Sequence, residues 1–362
     1  MKKVCLMFNH LRHQDGVGRS AIAIANWLTR MKLAEVTLIP IYTNDVDCHY
    51  LLEPDVKVHP VFGLWFHGMP HIVDKIPLSW INNRAFKEDY DVMVGFQYGL
   101  SIRCIAATSR RSHASKYAWM HGYDEGLNLR REYEAIGKVV CVSRCNSERL
   151  HQDMPTIITD YSYNPIDEKL VQLNGEEPID IERPTDRLLF VTVGRMSSEK
   201  GFERLLRICK RLKDEGRKFV LWLIGDGPDF SKLKLQMKDF ELDDCVRFLG
   251  RQSNPHKYTA KADVFVCSSY SEGYSTACTE AIMLGIPVIT TNVSGAEEIT
   301  EEAECGKMVG MDDESLYQAM REVLTQPKII DQWKNKLQST RERFYAKTRI
   351  QRLVDILGLN NN

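Results

Sequence analysis

Glu272 and Glu280 stand eight positions apart in Ser271-Glu272-Gly273-Tyr274-Ser275-Thr276-Ala277-Cys278-Thr279-Glu280-Ala281. Between them, Gly273 and the small or hydroxylated residues from Ser275 mark the place where a helix begins. A helix start offers backbone N–H groups and the positive end of its dipole to a diphosphate. A carboxylate on each side accepts hydrogen bonds from sugar and ribose hydroxyls. The combination is chemistry for holding a nucleotide-sugar. Taken singly, Glu272 also fits a loop acid favoured by the dipole, and Glu280 a solvated helix acid. Those readings leave the glycine, the hydroxyls and the preceding strand end Val264–Ser269 unexplained.

Three further segments carry phosphate-site chemistry. Gln14-Asp15-Gly16-Val17-Gly18-Arg19-Ser20 follows a first apolar run and opens a helix expected at Ala21–Leu28. Gly16 and Gly18 would let backbone approach a ligand closely. Val193-Gly194-Arg195-Met196-Ser197-Ser198-Glu199-Lys200-Gly201 places two cations just after a strand. Arg195 can bond a phosphate in bidentate fashion, and Lys200 adds a point charge. Ile224-Gly225-Asp226-Gly227-Pro228 is another strand end with glycines. Each segment alone also fits a plain turn or a solvated loop. The Arg195 and Gly225 segments end successive strands, so both would open at one sheet edge, where open α/β sheets bind ligands.

The elements that must position these residues are legible as an alternation. Apolar runs at Val4–Phe8, Val36–Tyr42, Val56–Val61, Val92–Phe96, Tyr117–Met120 and Val139–Ser143 read as strands in the first half. Leu188–Val193, Phe219–Ile224, Val246–Leu249, Val264–Cys267 and Pro287–Thr291 do so in the second. Continuous runs suit strands covered on both faces, as in parallel sheets. Helical periodicity lies between them, as in Glu203–Leu212. The pattern is that of an α/β protein. The polar, proline-containing stretch Asn174–Pro184 reads as a linker between two halves. Gln332–Leu359 reads as one or two helices, with Phe344-Tyr345-Ala346 as a bend and Asn360-Asn361-Asn362 as a frayed end.

The chain has 362 residues, 43% hydrophobic and 27% charged, with a formal net charge of −1. That suits two folded domains and argues against bulk capture of nucleic acid. No apolar run reaches the ~18 residues of a membrane span. The N-terminal Val4–Phe8 run is cut short by Asn9, His10, Arg12 and His13, so it reads as a strand rather than an export signal. Ten cysteines are scattered, and Cys141 with Cys145 forms a lone C-x3-C without a second pair, so reduced thiols and no zinc are expected. A cytoplasmic protein, with contact at the inner face of a membrane as an open option, is the expected setting.

On these residues the chain resembles the retaining GT-B glycosyltransferases of the GT4 family (glycosyl transferases group 1), most strongly over Leu188–Gly310. Glu272 and Glu280 meet the family's E-x7-E motif, Arg195 and Lys200 its Arg…Lys pair, and Gly16 and Gly18 its N-terminal glycine loop. Val293–Ile299 is similar to a segment that follows the motif. Tyr161–Asp167 resembles the family's Asn-Gly-Ile-Asp element, with Pro165 in place of the glycine.

The resemblance implies two Rossmann-like domains facing each other across a cleft. They would be an acceptor domain at 1–172 and a nucleotide-sugar domain at 173–342, with residues 343–362 returning as a helix to the first. It implies transfer from a nucleotide-sugar, with UDP the commonest base, to a glycan or lipid-linked glycan in cell-surface polysaccharide biosynthesis. Arg195 and Lys200 would neutralise the leaving diphosphate without a metal. Tyr274, Ser275 and Thr276 would offer backbone N–H groups. Glu272 and Gly273 would lie at the donor sugar, and Glu280 at the ribose. Gly225 joins the donor set, and Arg251 with Gln252 occupies the base-recognition neighbourhood. His121, in Trp119-Met120-His121-Gly122, would stand near the anomeric carbon. No cofactor is expected. Asp45-Val46-Asp47 has D-x-D spacing but reads as a solvated turn.

The aromatic segment Val61–Pro70, with Trp80 and Arg84 beyond it, fits an apolar surface for a lipid-linked acceptor or bilayer, or a helix packed on the sheet. Ser109–His113 and Lys116 add a basic cluster that would suit anionic lipid or a phosphate-bearing acceptor. Two other readings compete: a GT-B sugar-nucleotide epimerase, and a non-catalytic two-lobed binding protein for a small solute.

Overall fold

The computed structural model describes residues 1–11, 16–42, 49–66, 68–108 and 113–360. Asp45 and Asp47, Gln14 and Asp15, His67, the basic residues at 109–112 and the last two asparagines lie outside them. The chain divides into two compact units, Met1–Ile166 with Arg349–Asn362, and Asp167–Thr348.

The first unit holds a parallel sheet of β1 (Lys2–His10), β2 (Ala34–Tyr42), β3 (Lys57–Val58), β4 (Val92–Gly95), β5 (Ser115–Met120), β6 (Lys138–Cys141) and β7 (Ile158–Tyr161). Their order is β3-β2-β1-β4-β5-β6-β7. The second unit holds β8 (Leu188–Val193), β9 (Phe219–Ile224), β10 (Val246–Gly250), β11 (Val264–Cys267), β12 (Val288–Thr291) and β13 (Lys307–Val309). These follow the order β10-β9-β8-β11-β12-β13 and again pair in parallel. In each sheet the first strand is central and the chain reverses direction beside it. The switch points therefore fall between β1 and β4 and between β8 and β11, where such sheets leave a crevice for ligands.

Burial explains why these runs became strands. Val4 to Phe8 and Leu189 to Thr192 are buried along their whole length, as expected for strands with helices on both faces. The helix Phe202–Asp214 buries Phe202, Leu205, Leu206, Ile208, Cys209 and Leu212, one stripe at helical spacing, against β8 and β9. Each such leucine contributes about 1.5–3 kcal/mol of burial.

Several elements differ from the sequence expectation for identifiable reasons. β7 and β13 carry few fully buried residues and so give no continuous apolar run. The run at 56–61 yields only β3 plus a bridge between Tyr42 and Phe62, because Pro60 has no N–H to donate. The first helix spans Gly16–Arg30, so Gly16 and Gly18 form its first turn rather than a preceding loop. The stretch after the aromatic segment forms two short helices, Met69–Val73 and Leu78–Ala85, with Pro77 at the second helix start.

The chain passes between units at 166–167 and 348–349, each six residues from the joins read at 172–173 and 342–343. The helix Glu168–Glu176 is the reason. Asp167 caps it by accepting from the N–H groups of Lys169 and Leu170, and it packs with helices His256–Thr259 and Thr276–Met283. The expected linker thus begins inside a helix. At the far end, helices Lys328–Thr340 and Ala346–Ile356 flank a 3-10 turn at Arg341–Phe344. Residues from Arg349 onward belong to the first unit. There Tyr117 donates to the Ile356 carbonyl (2.8 Å) and Arg352 to Asp160 (2.6 Å).

Candidate functional site

The loop after β8 is stitched to the loop after β9 by backbone. Gly194 N–H donates to the Ile224 carbonyl at 3.0 Å, Met196 N–H to Asp226 at 2.9 Å, and Asp229 N–H to Met196 at 2.9 Å. Glycine makes this approach feasible. A Cβ on Gly225, whose φ is 142°, would lie 1.9 Å from the Gly194 carbonyl oxygen. The structure thus gives Gly225 a packing reason: its bare face meets Gly194.

The same loop is tied on its other side to the end of β11. Ser268 Oγ donates to the Lys200 carbonyl (2.9 Å), and Tyr270 N–H donates to the Glu199 carbonyl (2.7 Å). Gly201, at φ 65°, abuts the Ser268 carbonyl so closely that a Cβ would stand 2.0 Å from it. These backbone ties set the side chains. Lys200 Nζ lies 2.7 Å from Glu272 Oε1, and Ser269 Oγ donates to the same oxygen at 2.7 Å. The side chains are 25% and 13% exposed, so the pair is reachable yet partly desolvated. Burial works against the Lys200 charge, but the Glu272 carboxylate more than offsets it, and the Lys200 pKa is raised. The ammonium is therefore a fixed positive charge at neutral pH. Arg195, on the same loop, is exposed and makes no ion pair among the described residues.

Immediately beyond Glu272 the helix Thr276–Met283 begins. Ser275 caps it, its Oγ accepting from the Cys278 N–H at 3.3 Å. Thr276 and Ala277 at the first turn are half-buried. The Tyr274 ring is buried against Gly295, where a Cβ would meet it at 2.6 Å. This gives the Val293–Ile299 segment a physical role: its glycine seats the tyrosine that leads into the helix. Below, a hydrogen bond from the Cys278 thiol holds the Cys267 pKa down to about 7 against burial.

Glu280 is not the solvated acid of the bland reading. It is 5% exposed, and its Oε2 lies 3.4 Å from His256 Nε2. Arg251 and Gln252 follow β10, two strands from β8; Gln252 donates to the Leu249 carbonyl (2.6 Å) and accepts from the Tyr258 hydroxyl (3.2 Å).

In the first unit, Gly16 and Gly18 start the helix after β1, and Ser20 on its next turn donates to Asn164 Oδ1 at 2.8 Å. His121 follows β5. Its Nε2 is 2.9 Å from the Phe96 carbonyl, which can only accept, so Nε2 carries the proton and Nδ1 a lone pair. Burial lowers its pKa to about 4, so the ring is neutral at physiological pH.

The structure thus joins Lys200, Glu272, Gly273 and the helix start at Ser275 around one switch point, with Arg195 on the Lys200 loop. Sequence reasoning missed His256, which gave no local signal, and gave no individual role to Ser269 at its strand end or to Asn164 in the Tyr161–Asp167 element. Among the described residues, no cluster of three or more His, Cys, Asp or Glu side chains is arranged to hold a metal ion, and no helix is long and apolar enough to cross a membrane.

Residues 175–340 match the family described as glycosyl transferases group 1. The chain is 26% identical to the lipopolysaccharide core biosynthesis glycosyltransferase LpsD of Rhizobium meliloti, over 69% of this chain and 70% of that one. It is 31% identical to the N-acetylgalactosamine-N,N'-diacetylbacillosaminyl-diphospho-undecaprenol 4-alpha-N-acetylgalactosaminyltransferase of Campylobacter jejuni, over 52% of this chain and 50% of that enzyme. Its fold matches that of HepE from Anabaena, crystallised in complex with UDP, with a TM-score of 0.75 at 16% identity over 98% and 99% of the two chains.

Proposed function

We propose that the chain, which matches glycosyl transferases group 1 over residues 175–340 and shares the fold of solved glycosyltransferases, moves a hexose from a UDP-sugar to a glycan or lipid-linked glycan in cell-surface polysaccharide biosynthesis, with retention at the anomeric carbon and without a metal. The observation that carries this reading is the Lys200–Glu272 contact at 2.7 Å beside the helix start. A diphosphate needs fixed positive charge where its own negative charge develops as the glycosidic bond breaks. Lys200 supplies it, Arg195 adds a second cation from the same loop, and the N–H groups of Thr276 and Ala277 extend the cradle. Glu272 then accepts from donor-sugar hydroxyls and Glu280 from the ribose. Gly16 and Gly18, in the first turn of their helix, carry no side chain to keep a ligand from the backbone. His121, neutral and with Nδ1 as an acceptor, receives a hydrogen bond from a substrate hydroxyl rather than acting as an acid.

UDP is favoured by the complex formed by HepE, and a lipid-linked acceptor by the name of the Campylobacter relative. On this reading the first unit supplies the acceptor surface. Leu64, Trp65, Phe66, Ile72 and Trp80 are exposed, with the Arg84 guanidinium 5.8 Å from the Trp80 ring. Apolar side chains rimmed by a cation suit a lipid tail or a bilayer interface.

The test is product analysis with UDP-sugars and a lipid-linked glycan acceptor, in the presence of a chelator. Acceptor-dependent transfer with retained anomeric configuration supports the reading. Epimer formed without any acceptor favours the epimerase instead, and activity that a chelator removes and a divalent ion restores overturns metal independence.

A further inference from the structure

His256 is the least expected residue in the donor half, because nothing in its sequence neighbourhood marks it for chemistry. It is 7% exposed, on the short helix His256–Thr259, and two groups face its ring. Asn174 Nδ2 lies 3.3 Å from Nδ1, and Glu280 Oε2 lies 3.4 Å from Nε2. An amide nitrogen can only donate, so Nδ1 is the acceptor and the ring proton sits on Nε2, facing the Glu280 carboxylate. That N–H has no aligned hydrogen bond in the structure, although it is buried. A buried donor 3.4 Å from a carboxylate gains by closing that gap, since leaving it unmade is costly.

The tautomer is set by its neighbours. Asn254 Nδ2 donates to the Asn174 backbone carbonyl at 2.9 Å, while Asn254 Oδ1 accepts from the His256 backbone N–H at 3.1 Å. Asn174 reaches the ring because Gly175 lets its helix approach closely: a Cβ there would lie 2.5 Å from Leu284 Cδ2, on the residue that ends the Glu280 helix. Asn254, Asn174, His256 and Glu280 thus form one chain of contacts, with its far end at the donor site.

We propose that His256 is a positioning residue for nucleotide binding: its Nε2–H holds the Glu280 carboxylate in the orientation that accepts the ribose hydroxyls. This rests on the reading of Glu280 as the ribose acceptor. When a ribose hydroxyl donates to one carboxylate oxygen, a small rotation brings the other onto Nε2–H, and both donors are satisfied together.

The experiment is a double-mutant cycle read by affinity for a nucleoside diphosphate, the tightest binder among UDP, GDP and ADP, with inorganic pyrophosphate as a probe lacking ribose. His256→Phe keeps the ring volume and removes the donor. It is expected to weaken nucleoside diphosphate binding about tenfold and leave pyrophosphate binding unchanged. His256→Gln, which restores an amide donor, should recover most of the loss. In the Glu280→Gln background His256→Phe should add little. Equal losses for both probes, or fully additive effects in the double variant, overturn the positioning role and leave Glu280 as ribose acceptor intact. Unchanged nucleotide affinity in Glu280→Gln alone overturns the ribose assignment instead. Asn174→Ala, which removes the donor to Nδ1 on the other side of the ring from Glu280, should copy His256→Phe in weakened form; no effect there counts against the relay.

Discussion

Lys200 Nζ and Glu272 Oε1 lie 2.7 Å apart across the gap between the ends of β8 and β11, although 72 residues separate them in sequence. The pairing keeps the ammonium charged and aimed. On the proposed reading, an arriving diphosphate would meet a lysine already held by a carboxylate, and Glu272 would turn to the sugar as phosphate takes its place on Lys200.

Lys200→Ala should therefore lower the turnover of nucleotide-sugar by about a hundredfold or more, the scale seen when one donor to a developing anion is removed. Lys200→Arg should not restore it, because a planar guanidinium does not occupy the position of a compact ammonium. Initial rates of nucleoside diphosphate release, with the folded state checked by melting temperature, measure this. Turnover within threefold of the wild type in Lys200→Ala would remove the lysine from the mechanism.

Gly201→Ala should cost both stability and donor affinity. The added methyl would stand 2.0 Å from the Ser268 carbonyl at a φ of 65°, so the loop carrying Lys200 must move. Gly216 is the control: its φ is 71°, but nothing lies within 4 Å of a Cβ there. Gly216→Ala should cost only the left-handed backbone penalty, about 1–2 kcal/mol, and leave affinity for UDP unchanged. Denaturant melts and UDP titrations on both variants give the comparison.

Ser275 offers a way to separate capping from ligand binding. Ser275→Ala removes the side-chain acceptor for the Cys278 N–H and should destabilise the protein by about 1 kcal/mol. Ser275→Asp restores the cap, and its charge suits the helix dipole. That same charge opposes a diphosphate, so Ser275→Asp should keep wild-type stability but bind UDP more weakly than Ser275→Ala does. Equal affinity in the two variants would mean that the diphosphate does not sit at this helix start.

Acid should weaken the fold through His121. Its folded pKa of about 4 lies below the ordinary value of 6.5, because burial disfavours the charged ring. The contribution is fully present above pH 6.5 and is lost as pH falls from there toward 4, on the order of 3 kcal/mol in all. Urea midpoints at pH 7.5, 6 and 5 should fall more steeply for the wild type than for His121→Gln. Parallel curves would show that the ring is not held neutral by the fold.

The alternation of strands and helices, the two halves and the donor-loop residues were legible in the sequence. Parallel strands buried on both faces leave long apolar runs, and helix starts beside glycines leave short, distinctive ones. The edge strand β7 was not legible, because its residues are only partly covered and carry no periodic signal. The join at 166–167 was hidden for a different reason: Asp167 caps a helix whose packing partners, around His256 and Thr276, lie far along the chain.

What the sequence determined by itself was the kind of chemistry: two acids, two cations and a helix start, each fixed by residue type and local spacing. Which of these groups meet was decided only by the tertiary structure. Strand order brought the ends of β8 and β11 together and so joined Lys200 to Glu272. The close approach at Gly175 brought Asn174 to His256 and His256 to Glu280. Those contacts depend on how non-adjacent segments pack, and local sequence carries no record of a partner that lies dozens of residues away.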